Sequence, residues 1–331
     1  MEMAVFAQSV AIRAGSTCWK FLIRSKGHYE WSLPPGCTLW HNACVVNRVR
    51  FWLCVILVFA GRLLQAETAA SPVSELPIQF REGLLWAEVS IPQSKEPLHF
   101  LVDSGASASV VNLSTAKRLG LKLGPRVKVT AVAATLTGHW PVKLSAKAHE
   151  LELPGEYLAL DLGKLSGACS RSVDGLIGAD FFRDRVVEID YAAQKLRILA
   201  ASPAADSTNA VPLETRPCGF RVAVNVNGGK SQWMRMDTGC ATAFQWVTSK
   251  ERADRCTSRL AVGLAELSIP QTMTGLRIGN HQLDTVPTGL HSKTIFPGES
   301  GLLGNGLLAQ FGVVTIDAKS GRLFLGRTPA K

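Results

Sequence analysis

Two acidic residues of this chain occupy matching short motifs. Each motif consists of an Asp, a hydroxyl residue and a Gly at the end of an apolar run: Asp103-Ser104-Gly105 and Asp237-Thr238-Gly239. Two carboxylates a few ångströms apart cannot easily both ionise, so such a pair holds a single proton. The charged member can take a proton from a water molecule while the protonated member polarises a carbonyl group. The motifs therefore predict general acid–base hydrolysis of a carbonyl compound.

The residues next to each carboxylate suit a tight turn packed beside a second copy of itself. Gly105 and Gly239 have no Cβ, so the backbone at these positions can approach a neighbour closely. The hydroxyls of Ser104 and Thr238 can donate to nearby backbone groups and hold the turns. A single triplet is weak evidence, because Asp, Ser and Gly are ordinary turn formers whose carboxylate commonly caps the turn. Two triplets in the same context favour a paired site.

Further repeated segments indicate the elements that position these carboxylates. Apolar strands predicted at 98–102 and 233–236 each deliver one Asp at their ends. Two hydrophobic segments flanked by glycine and two strands ending in Ile-Asp recur later in the same order: 175–178 with 301–304, and 186–191 with 313–317. The repeat predicts an all-β fold of two similar lobes related by a pseudo-two-fold axis. We place lobe one at 77–199 and lobe two at 211–328, with a linker at 200–210.

The N-terminal region has the pattern of a targeting segment. Arg48 and Arg50 precede an apolar run at 51–61, and small residues follow it. A basic flank, a short apolar core and small residues predict a signal peptide at 47–66, and the core is too short to span a bilayer. We therefore expect export, to the periplasm or outside the cell, and expect the extension at 1–46 to be missing from the mature protein. The alternative is an uncleaved membrane anchor.

Composition narrows the functional classes. Hydrophobic residues make up 47% and charged residues 19% of the 331 residues, as in a globular protein. The formal net charge is +10, but there is no long basic run and no aromatic platform interleaved with basic residues, so nucleic-acid binding is not expected. No metal-ligand spacing such as Cys-x-x-Cys or His-Glu-x-x-His occurs, and we expect neither a metal nor another cofactor.

Both Asp motifs, together with Leu176-Ile177-Gly178 and Leu302-Leu303-Gly304, resemble those of the aspartic proteases, specifically the retropepsin-like and bilobal pepsin-like branches. The resemblance implies a peptide or protein substrate and a catalytic pair formed by Asp103 and Asp237. It also implies a supporting role for the neighbouring loop residues: Ser104, Gly105, Ala106, Thr238 and Gly239. Lobe one matches the retropepsin form more closely. In lobe two, Cys240 stands where pepsins usually have Ser or Thr.

A hairpin in lobe one is the predicted flap over the carboxylates. Strands are expected at 127–132 and 140–146, with a tip of small residues at 133–139. We expect Gly138, His139 and Trp140 to contact substrate there, although the pepsin flap usually carries a Tyr, which this segment lacks. The alternative is an ordinary surface hairpin.

Several functions compete for this sequence. An aspartic endopeptidase acting as a monomer is the leading interpretation. A catalytically silent homologue that binds peptides or proteins is the second, and a protease active only as a homodimer through lobe one is the third. A glycosidase with paired carboxylates is disfavoured, because both carboxylates lie in Ser/Thr-Gly loops and not among sugar-stacking aromatic residues.

Overall fold

β-Strands make up most of the chain described by the computed structural model, which confirms the predicted all-β class. The described residues belong to one compact unit, formed by Met1–Ile12 and Ala70–Lys331. The predicted signal segment at 47–66, most of the extension at 1–46 and the middle of the linker lie outside the described residues. The structure describes residues 3–5, 8–9, 72–131, 134–203, 209–248, 259–262 and 265–326.

Lobe one and the N-terminal extension contribute mostly short strands. Several of the central strands are buried along nearly their whole length, as continuous apolar runs require. They are β1 Met3–Val5, β2 Gln8–Ser9, β3 Pro72–Pro77, β4 Gln79–Arg81, β5 Leu84–Val89, β6 Leu98–Val102, β7 Val110–Asn112, β8 Arg126–Ala131, β9 Ala134–Lys143, β10 Lys147–Ala148, β11 Leu151–Glu152, β12 Glu156–Leu160, β13 Gly175–Ile177, β14 Val186–Asp190 and β15 Lys195–Leu199.

Lobe two repeats this β-rich organisation with somewhat longer strands. Burial alternates along Gln271–Ile278 and, from Phe220 onwards, along Gly219–Val226, where every second side chain is buried. The strands are β16 Ala210–Arg216, β17 Gly219–Val226, β18 Ser231–Asp237, β19 Phe244–Val247, β20 Arg259–Val262, β21 Ala265–Ser268, β22 Gln271–Ile278, β23 His281–His291, β24 Gly301–Gly304, β25 Val313–Asp317 and β26 Arg322–Leu325.

The helices are short and lie next to the strands that carry the repeated motifs. The first of them is capped by Asn112, whose side chain accepts a hydrogen bond from Ser114 N at 3.3 Å. The extended backbone of Asn112 places its side-chain oxygen over the first turn of the helix. The helices are α1 Leu113–Arg118, α2 Gly163–Ala168, α3 Ala179–Phe182 and α4 Asn305–Leu308, followed by a 3₁₀ turn at Ala309–Phe311.

In lobe one, a central strand brings the hydrophobic-Gly segment beside the first Asp loop. Within the described residues the strand order of this sheet is β1-β8-β9-β12-β7-β13-β6-β5-β4. Strand β13 runs parallel to β6 and pairs Leu176 with Leu101. Asp103 N then donates to Ile177 O at 2.8 Å, which fixes the start of the loop. This register packs the Leu176-Ile177-Gly178 segment against the strand and loop of Asp103.

Lobe two builds the same arrangement a second time. Strand β24 runs parallel to β18, pairing Met236 with Leu303, and antiparallel to β19. Asn305 N, just after β24, donates to Cys240 O at 2.7 Å, as Ala179 N does to Ala106 O in lobe one. The two lobes are therefore structural repeats at the level of individual hydrogen bonds.

A continuous ladder of strands connects the lobes. Strand β14 of lobe one pairs antiparallel with β25 of lobe two, placing Ile189 opposite Val314. Among the described residues, this sheet follows the order β18-β24-β19-β23-β22-β17-β16-β26-β25-β14-β15-β3. Buried side chains from both lobes form a shared apolar cluster, in which the rings of Phe182 and Phe220 meet edge to face at 6.1 Å. Removing this apolar surface from water stabilises the lobe interface.

The predicted hairpin exists, but most of the predicted tip is part of a strand. Strands β8 and β9 pair from Arg126 with His139 up to Ala131 with Ala134, so residues 134–139 belong to β9, and residues 132–133 lie outside the described residues. The expectation that 133–139 forms the tip is wrong, because the alternation of Thr135, Leu136 and Thr137 continues the strand.

The residues proposed to touch substrate consequently lie at the base of the hairpin. Gly138 pairs with Val127, and a Cβ at Gly138 would lie 2.9 Å from Ala159 O of the neighbouring strand. His139 Nδ1 lies 2.9 Å from Gly124 O. The placement of Gly138, His139 and Trp140 at the tip is corrected accordingly. At this end of the hairpin Gly138 is buried, and His139 and Trp140 are half-buried.

Candidate active site

The two Asp loops meet face to face between the lobes. A Cβ on Gly105 would lie 2.5 Å from Asp237 Cγ, and a Cβ on Gly239 would lie 2.4 Å from Asp103 Cγ. Real Cβ atoms do not approach other heavy atoms this closely, so each position requires glycine. Each carboxyl group therefore packs against the backbone of the opposite loop, and the two acidic side chains share one buried site.

Reciprocal hydrogen bonds clamp the loops together. Ser104 N donates to Thr238 Oγ1 at 2.9 Å, and Thr238 N donates to Ser104 Oγ at 3.1 Å. Each hydroxyl then donates to the strand that leads into the other loop, Ser104 to Met236 O at 3.1 Å and Thr238 to Val102 O at 2.8 Å. Because all four bonds are buried, they fix the relative position of the two carboxylates.

One oxygen of each carboxylate is held by its own loop. Asp103 Oδ1 accepts from Gly105 N at 3.0 Å and from Ala106 N at 3.1 Å, and Asp237 Oδ1 accepts from Gly239 N at 2.9 Å. The Oδ2 atoms of both are buried and have no hydrogen-bond partner among the described residues. These two oxygens are therefore the ones able to hold a proton or to bind water or substrate.

Burial shifts both carboxyl groups toward the protonated form. Desolvation raises the pKa of Asp103 well above its ordinary value, and the neighbouring Asp237 charge raises it further. Desolvation also raises the pKa of Asp237, to about 7, although the Arg235 guanidinium opposes the rise. The pair is thus arranged to keep a proton at pH values where an isolated Asp would be fully ionised.

These shifts predict how stability depends on pH. A carboxyl group with a raised pKa in the folded state contributes stability below its unfolded pKa, and that contribution is lost as pH rises through the folded value. Asp103→Asn removes an ionisable group, so we expect its Tm to exceed that of the wild type by a few degrees at pH 7 and to equal it near pH 3. Thermal unfolding at both pH values measures this, and the same Tm difference at both would contradict it.

The hydrogen bonds between the Ser104 and Thr238 loops lead to a second prediction. Thr238→Val keeps the shape of the side chain but leaves the buried Ser104 N–H without its acceptor, which costs about 1–3 kcal/mol of unfolding free energy. Thr238→Ser keeps the hydroxyl and is the matched control, with a smaller expected loss. Urea unfolding of the two variants compares them. No loss of unfolding free energy in Thr238→Val would show that the hydroxyl does not stabilise the loop and would contradict the prediction.

An asparagine that the sequence analysis missed supports the second loop. Asn305 Nδ2 donates to Thr238 O at 2.5 Å and to Gly83 O of lobe one at 2.9 Å, while Tyr191 of lobe one donates to Asn305 Oδ1 at 2.8 Å. The side chain is completely buried. Its only signal in the sequence is its position directly after Gly301-Leu302-Leu303-Gly304, at the start of a helix.

The thiol beside the second loop is poorly suited to act as a nucleophile. Cys240 is buried, and its Sγ contacts Thr242 Oγ1 at 3.1 Å. Burial and the nearby carboxylates raise the pKa of the Cys240 thiol well above its ordinary value. A thiol that stays protonated is a weak nucleophile.

The structure brings together most of the predicted site residues, while the hairpin residues Gly138, His139 and Trp140 remain at the base of β8 and β9. Within the described ranges, no cluster of three or more His, Cys, Asp or Glu side chains could hold a metal ion. No helix in those same ranges is long and apolar enough to cross a membrane. The residues that meet in the site are Asp103, Ser104, Gly105, Ala106, Asp237, Thr238 and Gly239.

Comparison with known proteins agrees with the resemblance drawn from the motifs. Residues 87–181 match the protein family described as "Aspartyl protease". This range contains the first Asp loop and its Leu176-Ile177-Gly178 segment, so the resemblance to the aspartic proteases is confirmed there and supports a proteolytic function. The crystal structure of the aspartic proteinase from Irpex lacteus is similar at 13% sequence identity and a TM-score of 0.49, covering 77% of this chain and 97% of that one. No curated protein sequence matches this chain.

Proposed function

We propose that this protein is an aspartic endopeptidase that hydrolyses peptide bonds with a water activated by Asp103 and Asp237. The observation that carries the proposal is the reciprocal packing of the two Asp loops. Each Gly lies against the opposite carboxyl group, and the hydroxyls of Ser104 and Thr238 cross between the loops. The family match over lobe one supports the same reaction class.

The reaction needs one proton on the pair. The ionised carboxylate takes a proton from the attacking water while the water oxygen bonds to the carbonyl carbon of the substrate. The protonated carboxyl group donates a hydrogen bond to the carbonyl oxygen. Collapse of the tetrahedral intermediate breaks the C–N bond, and a proton passes from the pair to the leaving amine. The pair finishes with one proton again. The rigid loops hold both carboxylates in place, so little reorganisation is needed during the reaction.

The substrate is a peptide or protein segment bound in the cleft between the lobes, under the hairpin of β8 and β9. A single chain supplies both carboxylates, so we propose a monomer. We also propose that the protein is exported and that the segment at 47–66 is removed as its signal peptide.

Hydrolysis of a mixed peptide library by the purified protein between pH 3 and 8 tests this function. We expect internal cleavage, detected by mass spectrometry, with a bell-shaped pH profile. The acidic limb reflects binding of a second proton and the alkaline limb loss of the last one. Both limbs should lie above the range of an ordinary carboxyl group, because burial raises the pKa of both residues. Removal of single terminal residues would refute endopeptidase action, and absence of cleavage at every pH would favour the peptide-binding alternative.

A further inference from the structure

A buried cation lies beside the second carboxylate and has no counterpart beside the first. Arg235 is two residues before Asp237 on β18, and its side chain is 1% exposed. The equivalent position before Asp103 is the apolar Leu101. Burying an arginine is costly unless every donor is paired, so a role for this residue should be visible in its contacts.

The guanidinium of Arg235 contacts two residues of lobe two, Glu299 and Phe296. Its Nε donates to Glu299 Oε2 at 2.7 Å, and its Nη2 donates to Glu299 Oε1 at 3.0 Å. The Cζ atom lies 3.6 Å from the centroid of the Phe296 ring. A two-pronged ion pair stacked on an aromatic face leaves the cation a single orientation.

The remaining contact crosses to lobe one. Arg235 Nη1 donates to the carbonyl oxygen of Gly105 at 3.0 Å. Gly105 is the residue whose backbone packs against the Asp237 carboxyl group. The Arg235 guanidinium therefore binds the loop of Asp103, while Arg235 itself lies two residues before Asp237 on β18.

The charges near Asp237 act unequally on the pair. Burial raises the pKa of Asp237, the Arg235 guanidinium lowers it, and the Glu299 carboxylate raises it. The other charged group facing Asp237 is Asp103, and the Cys240 thiol beside them is neutral.

A second arginine on the neighbouring strand is held by other partners. Arg221 on β17 lies directly opposite Arg235 in the ladder. Its guanidinium is engaged by Glu214 at 2.7 Å and by Gly298 O at 3.1 Å. Arg235 is thus the cation positioned to favour an ionised Asp237 over an ionised Asp103.

We infer that Arg235 is a positioning residue that determines which Asp of the pair is ionised and which is protonated. Asp237 is the ionised member that takes the proton from water, and Asp103 is the protonated member that polarises the substrate carbonyl. This inference rests on the proposed function. It adds which carboxyl group accepts the proton from water and which one donates a hydrogen bond to the substrate carbonyl.

Three variants test the assignment. Glu299→Gln removes an anion and keeps the Arg235 cation, so the acidic limb of the kcat profile should move to lower pH. Arg235→Met/Glu299→Gln removes both charges without leaving one buried alone. In that variant the acidic limb should move to higher pH and kcat should fall by about tenfold or more. Arg221→Met is the matched control, with an unchanged pH profile.

A titration that does not depend on activity accompanies the kinetics. The protein is labelled with ¹³C at the Asp carboxyl carbons, and the signals are assigned with Asp103→Asn and Asp237→Asn. In the wild type, the Asp237 signal should titrate at lower pH than the Asp103 signal. The difference between the two titration midpoints should become smaller in Arg235→Met/Glu299→Gln.

The outcomes separate the inference from the proposed function. Opposite movements of the acidic limb in the two Glu299 variants support the inference. Lower kcat and Tm with no change in the pH profile or in the order of titration would show that Arg235 is merely structural and would overturn it. A wild type that cleaves no peptide refutes the proposed function, and the carboxyl titration then still decides which Asp the cation keeps ionised.

Discussion

Asp103→Asn and Asp237→Asn are each expected to lower kcat/KM for peptide hydrolysis by at least about 1,000-fold. An amide can neither take the proton from water nor share one with its partner, so either substitution leaves half of the acid–base pair. The size and hydrogen-bonding shape of the side chain are retained, and the loop bonds to Gly105 and Gly239 should survive. The measurement is steady-state hydrolysis of one cleavable peptide at the optimal pH of the wild type.

Asp190→Asn is the matched control for these variants. Asp190 occupies a repeated position at the end of β14, but its Oδ1 accepts from Ala193 N at 2.8 Å in a turn, and its Oδ2 lies 3.3 Å from Arg197. We expect its kcat/KM to stay within about twofold of the wild type, since this carboxylate contacts a turn and Arg197 and not the paired Asp loops. Full activity in Asp237→Asn alone would instead favour the homodimer that acts through lobe one.

Gly239→Ala should disable the site by another route. The added methyl group would lie 2.4 Å from Asp103 Cγ, so either the carboxyl group or the loop must move. Overpacking a rigid core costs about 1–3 kcal/mol of unfolding free energy. A displacement near 1 Å in the pair costs about 100-fold in rate. Denaturant unfolding and peptide hydrolysis measure the two losses separately.

The control for that substitution is Gly155→Ala in lobe one. A Cβ at Gly155 would meet no atom within 4 Å. We expect native kcat/KM and nearly native stability there. Native activity in Gly239→Ala would mean that the loops of the two lobes do not pack against each other as the structure has them.

The paired site was predictable because its chemistry restricts the residues. A carboxylate, a hydroxyl and a Cβ-free backbone are all needed where two loops pack back to back, and that restriction left the same triplet twice. The apolar runs at Leu176 and Leu303 indicated buried strands, and the fold shows that each runs parallel to the strand leading into an Asp loop.

Other features followed from contacts that sequence spacing does not reveal. The hairpin tip was misplaced because Thr135 and Thr137 resemble a polar turn when their cross-strand partners are unknown. Asn305 supports the second loop through a partner in lobe one, Tyr191, which is far away in sequence. Arg235 interrupts an apolar strand, which was a visible signal, but only the fold shows that Glu299 neutralises it and that Gly105 accepts its hydrogen bond.

The central claim is that one catalytic centre is built from Asp103 and Asp237 of the same chain. Its most direct test is to unfold Asp103→Asn and Asp237→Asn together in equal amounts, refold them as a mixture and assay peptide hydrolysis, with wild type refolded alongside. If both carboxylates must come from one chain, the mixture stays as inactive as either variant alone, while the refolded wild type recovers. Recovery of a substantial fraction of wild-type activity in the mixture would show that the centre assembles between chains and would contradict the account.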